Sequence, residues 1–177
     1  MSKVIEDIRD FYIRNDIESL DPDQILDIWI SLDGAYQRRG FESTYCISFA
    51  IECWTNRPID FNISIKCFSC PDCEVFSSNC KYGLYHGPSG NMEITNAIAL
   101  FDRSVEIHKL RYLHYVADGE CKIYPYLVNH DPYPNYDIIK HECANHLGKR
   151  ANKALCQWGT NWTEAKGREF IENKKKN

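Results

Sequence analysis

At 177 residues, the chain is long enough to form one domain that buries roughly two thirds of its unfolded surface around a single core. Apolar residues at 44%, charged residues at 26% and aromatic residues at 13% exclude a disordered composition. No run approaches the roughly 20 apolar residues of a membrane helix, and the charged start MSKVIEDIRD is not a signal peptide.

The net charge of −4 is unevenly spread. Residues 1–139 carry 12 basic and 21 acidic side chains, and residues 140–177 carry 9 and 4. A basic C-terminal segment suits contact with a polyanion, and a merely solvated tail has the same composition. Nine cysteines, an odd count with several clustered, fit metal ligation in a reducing, intracellular compartment better than a disulfide framework.

In chain order, Val4, Ile5, Ile8, Phe11, Tyr12 and Ile13 fall at near-helical spacing and predict an amphipathic helix over residues 4–20. Residues 1–22 read as a helical appendage to a core at 23–158, with 159–177 as a basic tail. Ile25–Leu32 is an apolar, β-branched run ending at Asp33-Gly34. Ser43–Trp54 and Ile59–Lys66 follow with strand composition, separated by turn residues, so three strands form an antiparallel meander. After a cysteine-rich insertion at 67–90, Ser89-Gly90-Asn91 precedes a helix over Met92–His108. Leu110–Ala117 reads as a buried strand ending at Asp118-Gly119. Glu120–Asn129 reads as a short helix, Asp137–Lys140 as a short strand and Glu142–Leu155 as a helix. The order βββαβαβα, with later strands returning through helices to lie parallel to the first, predicts an α/β fold of ribonuclease-H-like topology with a mixed five-stranded sheet.

Ligands in open α/β sheets bind outside the carboxyl ends of strands, where this reading puts both Asp33 and Asp118. Two converging carboxylates repel, and a hard divalent cation relieves the repulsion by taking oxygen ligands from both. Such a pair supports metal-assisted phosphoryl transfer. Each Asp-Gly is also ordinary turn chemistry, since Gly supplies positive φ. Among acids near the third helix, Glu142 is the one placed to join them.

Cys70-Pro71-Asp72-Cys73, then Cys80 and His86, give C-x2-C-x6-C-x5-H, thiolate and imidazole donors suited to structural zinc, with Cys67 as a competitor and a loop of reduced thiols as the other reading. Cys143 and His146 form a Cys-x2-His pair on one helical face, able to reach one zinc or simply to pack. The remaining histidines, His108, His114, His130 and His141, show no convergent pattern.

Five blocks occur in order over roughly residues 25–155: Ser31-Leu32-Asp33-Gly34-Ala35-Tyr36; Cys70-Pro71-Asp72-Cys73; Gly87-Pro88-Ser89-Gly90-Asn91-Met92-Glu93; Val116-Ala117-Asp118-Gly119-Glu120; and Glu142-Cys143-Ala144-Asn145-His146. Together they resemble the Mutator-like transposase domain. The resemblance implies a ribonuclease-H-like core of a cut-and-paste DNA transposase, with an Asp-Asp-Glu triad holding Mg2+ or Mn2+. By position Asp33 and Asp118 match the first two acids, and Cys143 and His146 match the Cys-x2-His motif. It further implies transposon-end DNA as partner, a homodimer as an allowed assembly, no membrane, and a nuclear location.

The sequence departs from the family at Cys80, which is followed by Lys81-Tyr82-Gly83 rather than the family's Asn-(Tyr/His) element. Residues 156–177 are also too few to hold the helical insertion that precedes the family's catalytic Glu. The expectation is therefore a catalytic-core fragment truncated before that acid unless Glu142 substitutes. The alternative is an inactive, zinc-stabilised module that binds DNA or protein, with Lys140, Lys149, Arg150 and Lys153 (and Lys166 and Arg168 beyond them) meeting phosphates.

Overall fold

The computed structural model describes residues 3–18, 20–21, 23–37, 43–66, 85, 87–117, 122–144 and 148–157. It divides into two units, Met1–His141 and Glu142–Asn177.

The first unit is built on a five-stranded mixed sheet of order β3-β2-β1-β4-β5. Its strands are β1 (Leu26–Tyr36), β2 (Tyr45–Glu52), β3 (Pro58–Ile65), β4 (Leu110–Ala117) and β5 (Ile139–Glu142), and its helices are α1 (Lys3–Arg14), α2 (Met92–His108) and α3 (Ile123–His130). The meander is as expected: β1 pairs antiparallel with β2, and β2 antiparallel with β3. Strand β1 pairs parallel with β4, which the chain reaches through α2.

Alternation along β1 decides what faces what. Leu26, Ile28 and Ile30 are fully buried with Leu100 and Phe101 of α2 and Leu110 and Tyr112 of β4, while Asp27, Trp29, Ser31 and Asp33 point to the face away from α2. Phe101 meets Tyr112 and Tyr115 edge-on at 5.4 and 6.3 Å, an arrangement the ring quadrupoles favour. Three side chains of α1, Ile5, Ile8 and Tyr12, are buried in this same core. The helix stops at Arg14 rather than running to residue 20, with Asp16 in a left-handed conformation just beyond.

Strand β3 inverts the usual alternation. Phe61, Ile63 and Ile65 are exposed, whereas Asp60, Asn62 and Ser64 face α2 and are satisfied there. Arg103 binds Asp60 through Nε at 2.7 Å and Nη2 at 2.9 Å. Asn96, fully buried, accepts from Asn62 and Ser64 and donates to the Cys46 carbonyl and Ser48 Oγ. Because every member of this polar seam has a partner, it costs little to bury and ties α2 to one register over β2 and β3.

Other boundaries moved by small amounts. Helix α2 and strand β4 coincide with expectation. Asn91 makes no side-chain cap at the start of α2; the buried Ser89 instead donates to the Ser43 carbonyl at 3.0 Å. Helix α3 spans Ile123–His130 and tolerates Pro125 because the first helical turn has no intrahelical acceptors for its amides. In the second unit, residues 144 and 148–157 are helical and the latter are exposed. Among the described residues no helix is long and apolar enough to cross a membrane.

Candidate functional site

Asp33 does not terminate its strand. Strand β1 runs on through Gly34, Ala35 and Tyr36 because the ladder with β2 continues past it, pairing Asp33 with Phe49, Gly34 with Ser48 and Tyr36 with Cys46. The described parallel ladder with β4 ends earlier, at Ser31 opposite Val116. Asp33 is exposed on the face away from α2, where a carboxylate keeps its hydration and is open to ligands.

Gly34 is not a turn glycine, since its φ is not positive. It stands at a close approach instead. A Cβ at position 34 would stand 2.5 Å from Oε1 and 2.9 Å from Cδ of Glu93, the second residue of α2. The Glu93 carboxylate thus lies against β1 at the residue after Asp33, on the opposite sheet face. It joins burial and the neighbouring Cys46 in raising the Tyr36 phenol above its ordinary range. At the Cys46 thiol, burial is the main cause of an upward shift, opposed by a hydrogen bond with Ser48 and reinforced by Glu93. Nothing local in the sequence marks Glu93; only the fold brings it to Gly34.

Glu142 is the last residue of β5 rather than the start of a helix. It is exposed and pairs with Arg150 Nη2 at 3.1 Å. Cys143 is partly buried, Lys140 is partly buried, and Lys149, Arg150 and Lys153 are exposed. Asp118, Cys70, Cys73, Cys80, His86, His146, Lys166 and Arg168 lie outside the described residues. Among the described residues no group of three or more His, Cys, Asp or Glu side chains could hold a metal. Of the two aspartates expected to hold a metal, Asp33 lies among the described residues and Asp118 does not.

The structure does bring together two histidines in which the sequence shows no convergence. His114 Nδ1 lies 3.0 Å from His141 Nε2, and both rings stack on Trp29, with centroids 4.3 and 4.1 Å from it. The β1/β4 register accounts for this, since Trp29 pairs with His114 on the same sheet face beyond a bulge after Asp27. Glu18 Oε1 is 3.6 Å from His114 Nε2. Burial and the neighbouring His114 both push the His141 imidazole below its ordinary value. Separations of 85 and 27 positions along the chain hide this cluster from any spacing rule.

No curated protein and no solved structure matches the chain. A family model does, described as Mutator-like transposase, and it covers residues 6–177, from α1 through the sheet and the basic segment. With a family match over nearly the whole length, the chain belongs to the Mutator-like transposase family.

Proposed function

We propose that this chain is the catalytic-core portion of a Mutator-like DNA transposase, of ribonuclease-H-like fold, in which Asp33 and Asp118 hold Mg2+ or Mn2+ for DNA strand cleavage and transfer. The sheet order β3-β2-β1-β4-β5, antiparallel at β1–β3 and parallel at β1/β4, supports the fold. The observation that carries the site is the parallel register. Ser31 pairs with Val116, and each is followed two residues later by an aspartate, Asp33 and Asp118. A register continued for two more steps would bring the two carboxylates side by side on one face, and that extrapolation is what supports the pairing of Asp33 with Asp118. When bound, the metal would lower the pKa of an attacking water and stabilise the leaving oxygen of a phosphodiester. The protein's part is to fix two oxygen donors at one spacing on a rigid sheet.

The test is nicking of supercoiled DNA by the purified chain with magnesium or manganese. Cleavage that disappears in Asp33→Ala supports the proposal; no nicking by the wild-type chain with either ion refutes it for this chain.

One observation favours a second reading. Glu142, the acid nearest in sequence order to completing the triad, is engaged by Arg150. An inactive, transposon-derived module that binds DNA or protein would leave it there, with zinc held by Cys70, Cys73, Cys80 and His86 and with Cys143 and His146 as a further pair. On this reading Lys140, Lys149, Arg150 and Lys153 contact phosphates in the nucleus. Four such contacts give a slope of about −3.6 in log K against log salt, and affinity independent of salt would exclude it.

A further inference from the structure

The sheet face turned away from α2 carries an uncharged, apolar patch on β2 and β3. We propose that this patch is a self-association surface, on which a second copy of the chain packs face to face about a twofold axis.

Register builds the patch. Cross-strand partners in an antiparallel ladder point to the same face, and the β2/β3 ladder pairs Tyr45 with Ile65, Ile47 with Ile63 and Phe49 with Phe61. All six side chains therefore share the face opposite α2, and the Phe49 and Phe61 rings meet at 6.0 Å. Four of them are open to solvent: Tyr45 is 42% exposed, Phe61 53%, Ile63 46% and Ile65 43%. The polar residues of β3 face the other way, where Asn96 and Arg103 bind them.

Charge and size select a second copy as the occupant. None of the six side chains is charged, so the patch lacks the Lys and Arg that a nucleic-acid backbone requires. It can also face its own copy without like-charge contact, as a twofold interface demands. At roughly 200 Å² for a whole side chain of this kind, the four exposed residues offer roughly 370 Å² of apolar surface. A stable interface buries about 800 Å² per partner, a little over half of it apolar. The patch supplies most of that apolar share, and the half-buried Ile47 and Phe49 add to it.

The geometry also decides between the two ways in which sheets associate. Strand β3 lies at the sheet edge, where a further strand could in principle be added. That edge is already engaged at two points. The Phe61 amide donates to Asp60 Oδ1 at 2.8 Å, and the Phe61 carbonyl accepts from Arg103 Nη2 at 2.6 Å. The Ile65 carbonyl accepts from the Tyr85 amide at 3.0 Å. A second β3 cannot add along this edge without breaking those bonds, whereas packing on the face leaves them intact. Ile63, midway along the β3 row, then lies nearest the twofold axis. Asp33, paired with Phe49 from β1, stands at the rim. Association on this face needs no metal, so it stands or falls apart from the proposed cleavage site.

The experiment is sedimentation equilibrium of the full chain, 20.7 kDa, without magnesium or manganese. Over about 1–200 μM, the wild type is expected to pass from monomer to a species of twice that mass. Ile63→Lys and Ile63→Glu, both at an exposed position, are each expected to weaken association about tenfold or more. An equimolar mixture of the two is expected to restore it, because opposite charges then meet across the axis. Ile107→Lys, at an exposed apolar residue of α2, is expected to leave association unchanged. A wild-type chain that stays monomeric throughout overturns the proposal. So does association that Ile63→Lys leaves intact, equal weakening by Ile107→Lys, or a mixture of the two Ile63 variants that stays monomeric.

Discussion

Replacing Tyr12 with phenylalanine removes one oxygen from the place where α1 meets the sheet. That hydroxyl is fully buried. It donates to Glu52 Oε1 at 2.8 Å and accepts the Trp29 amide at 3.0 Å. Burial is the main reason its phenol is held far above its ordinary range, so it remains a donor at any working pH. Glu52, itself fully buried, keeps the amides of Trp54 and Thr55 and the Thr55 hydroxyl, but loses its link to α1. A hydrogen bond to a charged acceptor contributes about 1.5–3 kcal/mol, and a buried amide left without an acceptor costs about 1–3 kcal/mol. The ring stays, so no cavity opens, and the expected loss is about 3 kcal/mol. Against a total of about 5–15 kcal/mol for a domain of this kind, and with a urea slope of about 2 kcal/mol per molar, the unfolding midpoint should fall by about 1.5 M. A fall under about 0.3 M would refute the reasoning and would mean that α1 is held loosely, as an appendage at residues 1–22 would be.

Three further outcomes follow from the same geometry. Arg111, 5% exposed, grips Asp27 with two nitrogens, reaches Asp21 at 3.3 Å and lies 3.5 Å over the Tyr136 ring. Arg111→Lys keeps the charge and loses the fork, and should cost about 2 kcal/mol in urea unfolding. Burial alone would raise the Asp60 carboxyl, but Arg103, the Phe61 amide and His108 hold it below its ordinary value. A depressed folded pKa gives stability that is present above the unfolded value near 4 and is lost as pH falls through the folded one. Between pH 5 and pH 2, Asp60→Asn should therefore lose less stability than wild type, and equal losses would discount the pair. Gly34→Ala should be tolerated within about 1 kcal/mol in thermal unfolding, because the group it meets is the flexible tip of Glu93. A much larger loss would show that tip to be fixed.

What the amino-acid order determined by itself was the local part of the fold. Helix α2 and strand β4 were legible to the residue. Ile94, Ile98, Phe101 and Val105 repeat at helical spacing, β4 is a short apolar run, and the left-handed Lys109 between them lets the chain reverse direction. The five-block pattern likewise identified the family from sequence, since it rests on which residues follow which.

Tertiary structure decided everything that depends on pairing across the sheet. Strand β1 passes Asp33-Gly34 because β2 continues beside it, and turn chemistry could not foresee a neighbour. Glu142 became a strand end paired with Arg150 instead of a helix start. Polar residues on the inner face of β3 are stable there only because Asn96 and Arg103 arrive from α2. Glu93 against Gly34, and His114 against His141, are contacts between distant positions. Periodicity reports which face a side chain takes within its own element, while the partner across the sheet is set by register, and register forms only when the whole core closes.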